Sequence, residues 1–169
     1  RRSSDLAVAL GGCAGDKEGE SSSQITIGIP QDLEDSLDPH KAVAAGTKEV
    51  LFNLFEGLVK PTSDGDLIPA VASAYEESEG GKVYTFTLRD GVKFHDGSLV
   101  TAEDVKFSLD KCADTSNGGP LVPAFSNIES VTIADDHTVV VTLQEADTEF
   151  LAYMTTAIIP KANENPDTN

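Results

Sequence analysis

The order of elements in the sequence predicts an α/β fold, mixed α+β through its middle. Three observations predict it. Between Val83 and Leu88, Tyr84, Phe86 and Leu88 alternate with Val83, Thr85 and Thr87, the period of a strand buried on one face. From Thr101 onward, Ala102, Val105, Leu109 and Cys112 recur at helical spacing behind a capping threonine. Turn pairs separate such runs, among them Asp90-Gly91 and Asp96-Gly97.

The elements follow in order. Ile25, Ile27 and Ile29 alternate before Pro30 and predict an opening strand. Gln31 to Ser36 is an acidic loop, and Asp38-Pro39 is a turn. A helix is expected from Thr47 as its cap, with Leu51, Leu54, Phe55 and Leu58 on one face and Gly57 as its stop. Pro61 to Asp66 reads as a tight turn, and Pro69 with the Ala-rich run after it as the first turn of a short helix. After strand Val83–Leu88, Asp90-Gly91 predicts a hairpin onto Val92 to Phe94, then a second turn at Asp96-Gly97 and the Thr101 helix. Asp114 to Pro123 is a loop. Val131 and Ile133, then Val139, Val141 and Leu143, make a hairpin about Asp135-Asp136-His137. A short helix at Phe150 to Met154 and a last strand, Ala157 to Ile159, end the pattern.

Composition narrows the function. Of 169 residues, 12 are basic and 29 acidic, a net charge of −17 that repels phosphate backbones, so nucleic-acid binding is not expected. The same charge excludes a polybasic hold on anionic membranes, and the apolar runs are too short to span one.

Arg1 and Arg2, the apolar run Leu6 to Leu10, and Leu10-Gly11-Gly12-Cys13 together resemble a lipoprotein signal ending in a lipobox, clipped at its front. Cys13 is then the lipidation site and a lipid anchor, and Ala14 to Gln24 a flexible tether. Met154 is the only methionine, so a fragment of a longer product is expected.

No catalytic signature is present. His40, His95 and His137 lie at no metal-ligand spacing, so no metal and no cofactor are expected. Gly80-Gly81 and Gly118-Gly119 lack the surroundings of a phosphate loop and read as turns. His95, in Phe94-His95-Asp96-Gly97, is expected to order its turn by a local hydrogen bond. An enzyme is not expected.

One set of residues, in order, resembles the peptide/nickel solute-binding proteins (family 5) of ABC importers. It comprises Ser36-Leu37-Asp38-Pro39-His40, Leu54-Phe55-Glu56-Gly57-Leu58, Pro69-Ala70-Val71-Ala72, and the block Tyr84 to Gly97 followed by Thr101-Ala102-Glu103-Asp104-Val105. Asp135 to Thr138 and Ile159-Pro160-Lys161 extend it.

The resemblance implies a periplasmic-binding-protein type II fold of the large three-domain kind, present only in part. Its divisions would be a signal segment (1–12), lipidated Cys and tether (13–24), the start of a first lobe (25–55), an inserted domain (56–157) and a truncated return to the first lobe (158–169). The implied function is capture of oligopeptides or dipeptides outside the cytoplasmic membrane by a lipid-anchored monomer that delivers them to the permease subunits. Alternatives are nickel-chelate or saccharide binding, or a non-transport surface lipoprotein. By the same resemblance, Glu34, Ser36, Ala44, Gly46, Thr155 and Thr156 would face the ligand, hydrogen-bonding an extended peptide's main chain. A second lobe outside this sequence would supply the other contacts.

Overall fold

A computed structural model of the protein describes residues 36–116 and 118–162. The expected strand Ile25 to Ile29, the tether, Cys13 and Glu34 lie outside the described residues.

Helix α1 (Ala45–Leu54) follows the Asp38-Pro39 turn. A short hairpin of β1 (Val59–Pro61) and β2 (Leu67–Pro69) leads into β3 (Ala72–Ser78) and β4 (Val83–Leu88). Helix α2 (Ala102–Ala113), a 3₁₀ helix (Pro123–Asn127), β5 (Ile128–Asp135), β6 (Thr138–Leu143) and a second 3₁₀ helix (Phe150–Thr155) complete the order.

Strands β3-β4-β6-β5 form one antiparallel sheet. Its register aligns side chains across all four strands: Tyr75, Phe86, Val139 and Ile133 share one row, and Glu77, Tyr84, Val141 and Val131 the next. Tyr84, Phe86, Val139, Val141 and Leu143 are completely buried. Across the core, Phe150 joins Tyr84 and Phe125, with ring centroids 5.7 and 5.8 Å apart. Removing one such ring forfeits about 3–5 kcal/mol. The Tyr84 hydroxyl donates to Asp147 O at 2.6 Å. Burial first, then the charges of Glu77 and Asp147, push this phenol up to about 12.

Helix α2 packs against β5 and β6 with the predicted stripe inward. Its start is a full capping box: Asp104 N–H donates to Thr101 Oγ1, and Thr101 N–H to Asp104 Oδ2. Such a cap contributes about 1 kcal/mol. Cys112, at the end of the stripe, is completely buried, and burial pushes its thiol up to about 12. We expect Cys112 to resist iodoacetamide in the folded protein and to react at the rate of unfolding; fast labelling under native conditions would contradict this packing.

Several local readings give way to tertiary structure. Thr47 does not cap α1; the cap position is Ala44, and Thr47 is buried in the first turn with its hydroxyl unbonded. The helix stops before Gly57, where Phe55 turns extended, and Leu58 lies beyond it. Pro69 ends strand β2 instead of opening a helix, because Lys60 and Ile68 pair and leave Pro69 at the strand end. Asp90-Gly91 is a turn but joins no hairpin, since β4 already has β3 and β6 on its two sides. Val92 to Phe94 pair instead with Ser98 to Val100. That small hairpin is ordered by Asp96, which accepts from Ser98 N–H and Oγ–H at 2.9 and 2.6 Å, while the His95 ring lies edge-on to Phe55.

Ala157 to Ile159, expected as a last strand, forms no strand among the described residues. It is held by Ile158 N–H to Glu56 O (2.9 Å) and Ile159 N–H to Ser108 Oγ (2.9 Å). Asp104, whose Oδ2 serves the cap, offers Oδ1 to Lys161 N–H at 2.8 Å.

Candidate functional site

The turn before α1 is built around a carboxylate. Asp38 is completely buried; its Oδ1 accepts His40 N–H at 3.0 Å, and its own N–H donates to Ser36 Oγ at 3.0 Å. Lys111, from the last turn of α2, closes an ion pair on Asp38 Oδ2 at 2.7 Å, with Lys41 at 3.8 Å. Burial acts to raise the Asp38 pKa, but the Lys111 hydrogen bond, the His40 N–H and the nearby positive charges outweigh it and hold the carboxyl below its ordinary value.

Next to it the His40 ring packs against the returning chain, 1% exposed, with Nε2–H donating to Ala157 O at 2.7 Å. Burial depresses the imidazole pKa and Lys111 adds to this, while the bond to Ala157 and the Asp38 charge oppose it; the net shift is downward. The neutral ring is therefore favoured.

These contacts bring α1, the loop after α2 and the returning chain around an open recess of about 300 Å³. Thr155, Thr156 and Ala157 form one wall, Lys48, Leu51 and Phe52 of α1 another, and Leu121 and Val122 the rim. Thr155 Oγ1 donates to Ala152 O at 2.9 Å and Thr156 Oγ1 to Tyr153 O at 2.7 Å. Both hydroxyls thus keep lone pairs for an incoming N–H, and Lys48 places a cation on the same rim.

Of the residues singled out in the sequence, Thr155 and Thr156 stand on this wall. Ser36 spends its oxygen on the Asp38 turn; Ala44 caps α1 and Gly46 is half-buried in its first turn, all three outside the recess lining. His40, Lys48, Phe52 and Leu121 were not singled out as recess residues. The exposed apolar side chains of Phe52 (64%) and Leu121 (42%) mark the patch, and the helical period alone does not show it. Among the described residues no group of three His, Cys, Asp or Glu is placed to hold a metal ion. No helix among them is long and apolar enough to cross a membrane.

The fold is the α/β fold of type II periplasmic binding proteins, held here in part. Residues 66–169 match the family described as bacterial extracellular solute-binding proteins, family 5 Middle, and the chain belongs to that family. The periplasmic murein peptide-binding protein MppA of Escherichia coli (strain K12) is 40% identical over 85 residues, 50% of this chain and 16% of that protein. The oligopeptide-binding protein OppA of Bacillus subtilis (strain 168) is 37% identical over 114 residues, 66% of this chain and 21% of its own length.

Among solved structures, the E. coli murein tripeptide binding protein MppA matches at TM-score 0.69 and 32% identity, covering 76% of this chain and 29% of its own. NikZ from Campylobacter jejuni in complex with Ni(L-His) matches at TM-score 0.65 and 31% identity, covering 70% and 24%. The chain spans only 16% to 27% of the length of the curated relatives it matches. These relatives are solute-binding proteins, not enzymes, as the sequence leads one to expect.

Proposed function

We propose that this chain is part of the substrate-binding component of an ABC importer, one that captures oligopeptides or dipeptides outside the cytoplasmic membrane and hands them to the permease. The observation that carries the reading is the family match over residues 66–169, with peptide-binding proteins among the relatives. The recess agrees in chemistry: hydroxyl lone pairs on Thr155 and Thr156 accept main-chain N–H groups, a mode indifferent to side chains. Glu34, Ser36, Ala44 and Gly46 would add contacts from the segment ahead of and within α1, and a second lobe would close over the ligand. Residues 56–157 would form the inserted domain, 25–55 and 158–169 parts of the first lobe. Cys13 would carry a lipid anchor at the membrane's outer side, and the whole protein would act as a monomer.

A nickel-chelate reading is favoured by one observation, the likeness to the NikZ complex with Ni(L-His). Native mass spectrometry of the full-length soluble protein with a mixed peptide library separates the two. Intact peptide retained at unit stoichiometry is the expected result. Retention of Ni–histidine alone would replace the ligand assignment, and cleaved peptides would overturn the non-catalytic reading.

A further inference from the structure

We infer that His40 is a proton-sensitive latch that fastens the returning chain at Ala157 to the turn ahead of α1. The geometry is specific about where the proton sits. A carbonyl can only accept, so the 2.7 Å contact with Ala157 O requires the hydrogen on Nε2 and leaves Nδ1 bare. That bare nitrogen is buried and without a hydrogen-bond partner. It lies 4.0 Å from Asp38 Oδ1, too far for a hydrogen bond, and the carboxylate is already engaged by Lys111 at 2.7 Å and approached by Lys41 at 3.8 Å.

Every charged group packed around the ring among the described residues bears on the outcome. Asp38 and Lys41 come from its own segment, and Lys111 from α2; Lys48 of α1 borders the same recess, and the returning chain offers the Ala157 carbonyl. Of these, Lys111 disfavours a charge on the ring and outweighs Asp38, which favours one. A proton added at Nδ1 makes a buried imidazolium 4.0 Å from Asp38 Oδ1, an oxygen that already accepts the His40 backbone N–H, so the new N–H gains no hydrogen bond without the ring moving. Exposing the ring to water relieves this, and exposure parts Nε2 from Ala157.

The sign follows from linkage. The folded-state imidazole titrates below its ordinary 6.5, so the opened state binds the extra proton more readily. The latch is at full strength above pH 6.5 and weakens as pH falls below it, by up to about tenfold in the opening equilibrium per pH unit until the folded ring itself titrates. Asp38 titrates below 3.8 and belongs to a separate, more acidic window. The latch holds whichever solute the protein carries, because it is made of protein groups alone.

The test is hydrogen exchange on the full-length protein between pH 7.5 and about pH 5, read at the amides of Ile158 and Ile159, which dock the returning chain on Glu56 and Ser108. Their protection factors are expected to fall with acidification in the native protein and to stay level in His40→Gln, which can still donate to Ala157 but cannot take a proton. Equal pH slopes in both proteins would overturn the latch. Nitrogen NMR of the native protein provides an independent reading should the variant fail to fold: His40 is expected to keep the Nε2–H tautomer below pH 6.5, and titration at or above 6.5 would overturn the inference.

Discussion

Gly57→Ala is expected to destabilise the protein by about 3 kcal/mol, at the upper end for an overpacked position. A Cβ at Gly57 would stand 2.5 Å from Met154 O and 2.6 and 2.7 Å from the carbonyl carbon and Cα of Thr155, all of them backbone. Neither side can yield cheaply. Gly57 O accepts Val71 N–H at 3.1 Å, Leu58 O accepts Ala70 and Ala72 N–H, and Ile158 N–H is fixed on Glu56 O. The 3₁₀ helix opposite is anchored by Phe150 and Met154, both buried. Urea denaturation of Gly57→Ala and Gly57→Asn measures the effect. If Gly57 served as a left-handed helix stop, Asn would substitute well; the close approach predicts that Asn is at least as harmful as Ala. A cost below about 1 kcal/mol for Ala would mean that Thr155 can move aside and that the recess wall is not fixed from behind.

Removal of Asp38 is expected to have a comparable effect. Breaking a buried ion pair from one side costs about 3–5 kcal/mol, and Lys111, with 18% of its side chain exposed, retains enough water to put Asp38→Ala at the lower end. The His40 N–H loses its acceptor as well. Chemical denaturation of Asp38→Ala, Lys111→Met and the double variant gives the coupling directly; the double variant is expected to be less damaged than the sum of the singles. Acid supplies a second reading. The Asp38 pKa is lowered in the folded state, so its contribution is complete above the unfolded value of 3.8 and is lost as pH falls through the lower folded value. Asp96, Asp114 and Asp135 are also lowered and share that window. The difference between native protein and Asp38→Ala isolates Asp38. An unchanged acid limb would mean that the pair contributes nothing to stability.

Much of the middle of the chain was legible because its signals are local and agree with one another. The strand period of Val83 to Leu88, the capping box at Thr101 and the turn at Asp135 to His137 each state one conformation, and the sheet accepts all three. Misreadings cluster where a partner distant in sequence decides. Gly57 looked like a helix stop because a glycine after a helical run is a common ending, yet what requires glycine there is Met154. Pro69 fits the first turn of a helix equally well until Lys60 and Ile68 pair. At the recess, Thr155 and Thr156 were found through family resemblance, and no periodicity in the sequence marks them. Asp38 and His40 stood in a recognised motif, but their work depends on Lys111 and Ala157, which no local pattern connects to them.

The hydrogen bond from Ile158 N–H to Glu56 O has a mechanical consequence. The chain enters the four-stranded sheet region just after Glu56 and leaves it just before Ile158, so the entering and leaving strands of chain touch directly. Tension along the polypeptide is carried across that contact and through the neighbouring grip of Ser108 and Asp104 of α2 on Ile159 and Lys161, and not through the backbone pairing of the strands. Movements of whatever is joined at either end reach the sheet through that contact and through the Asp38–Lys111 pair on α2.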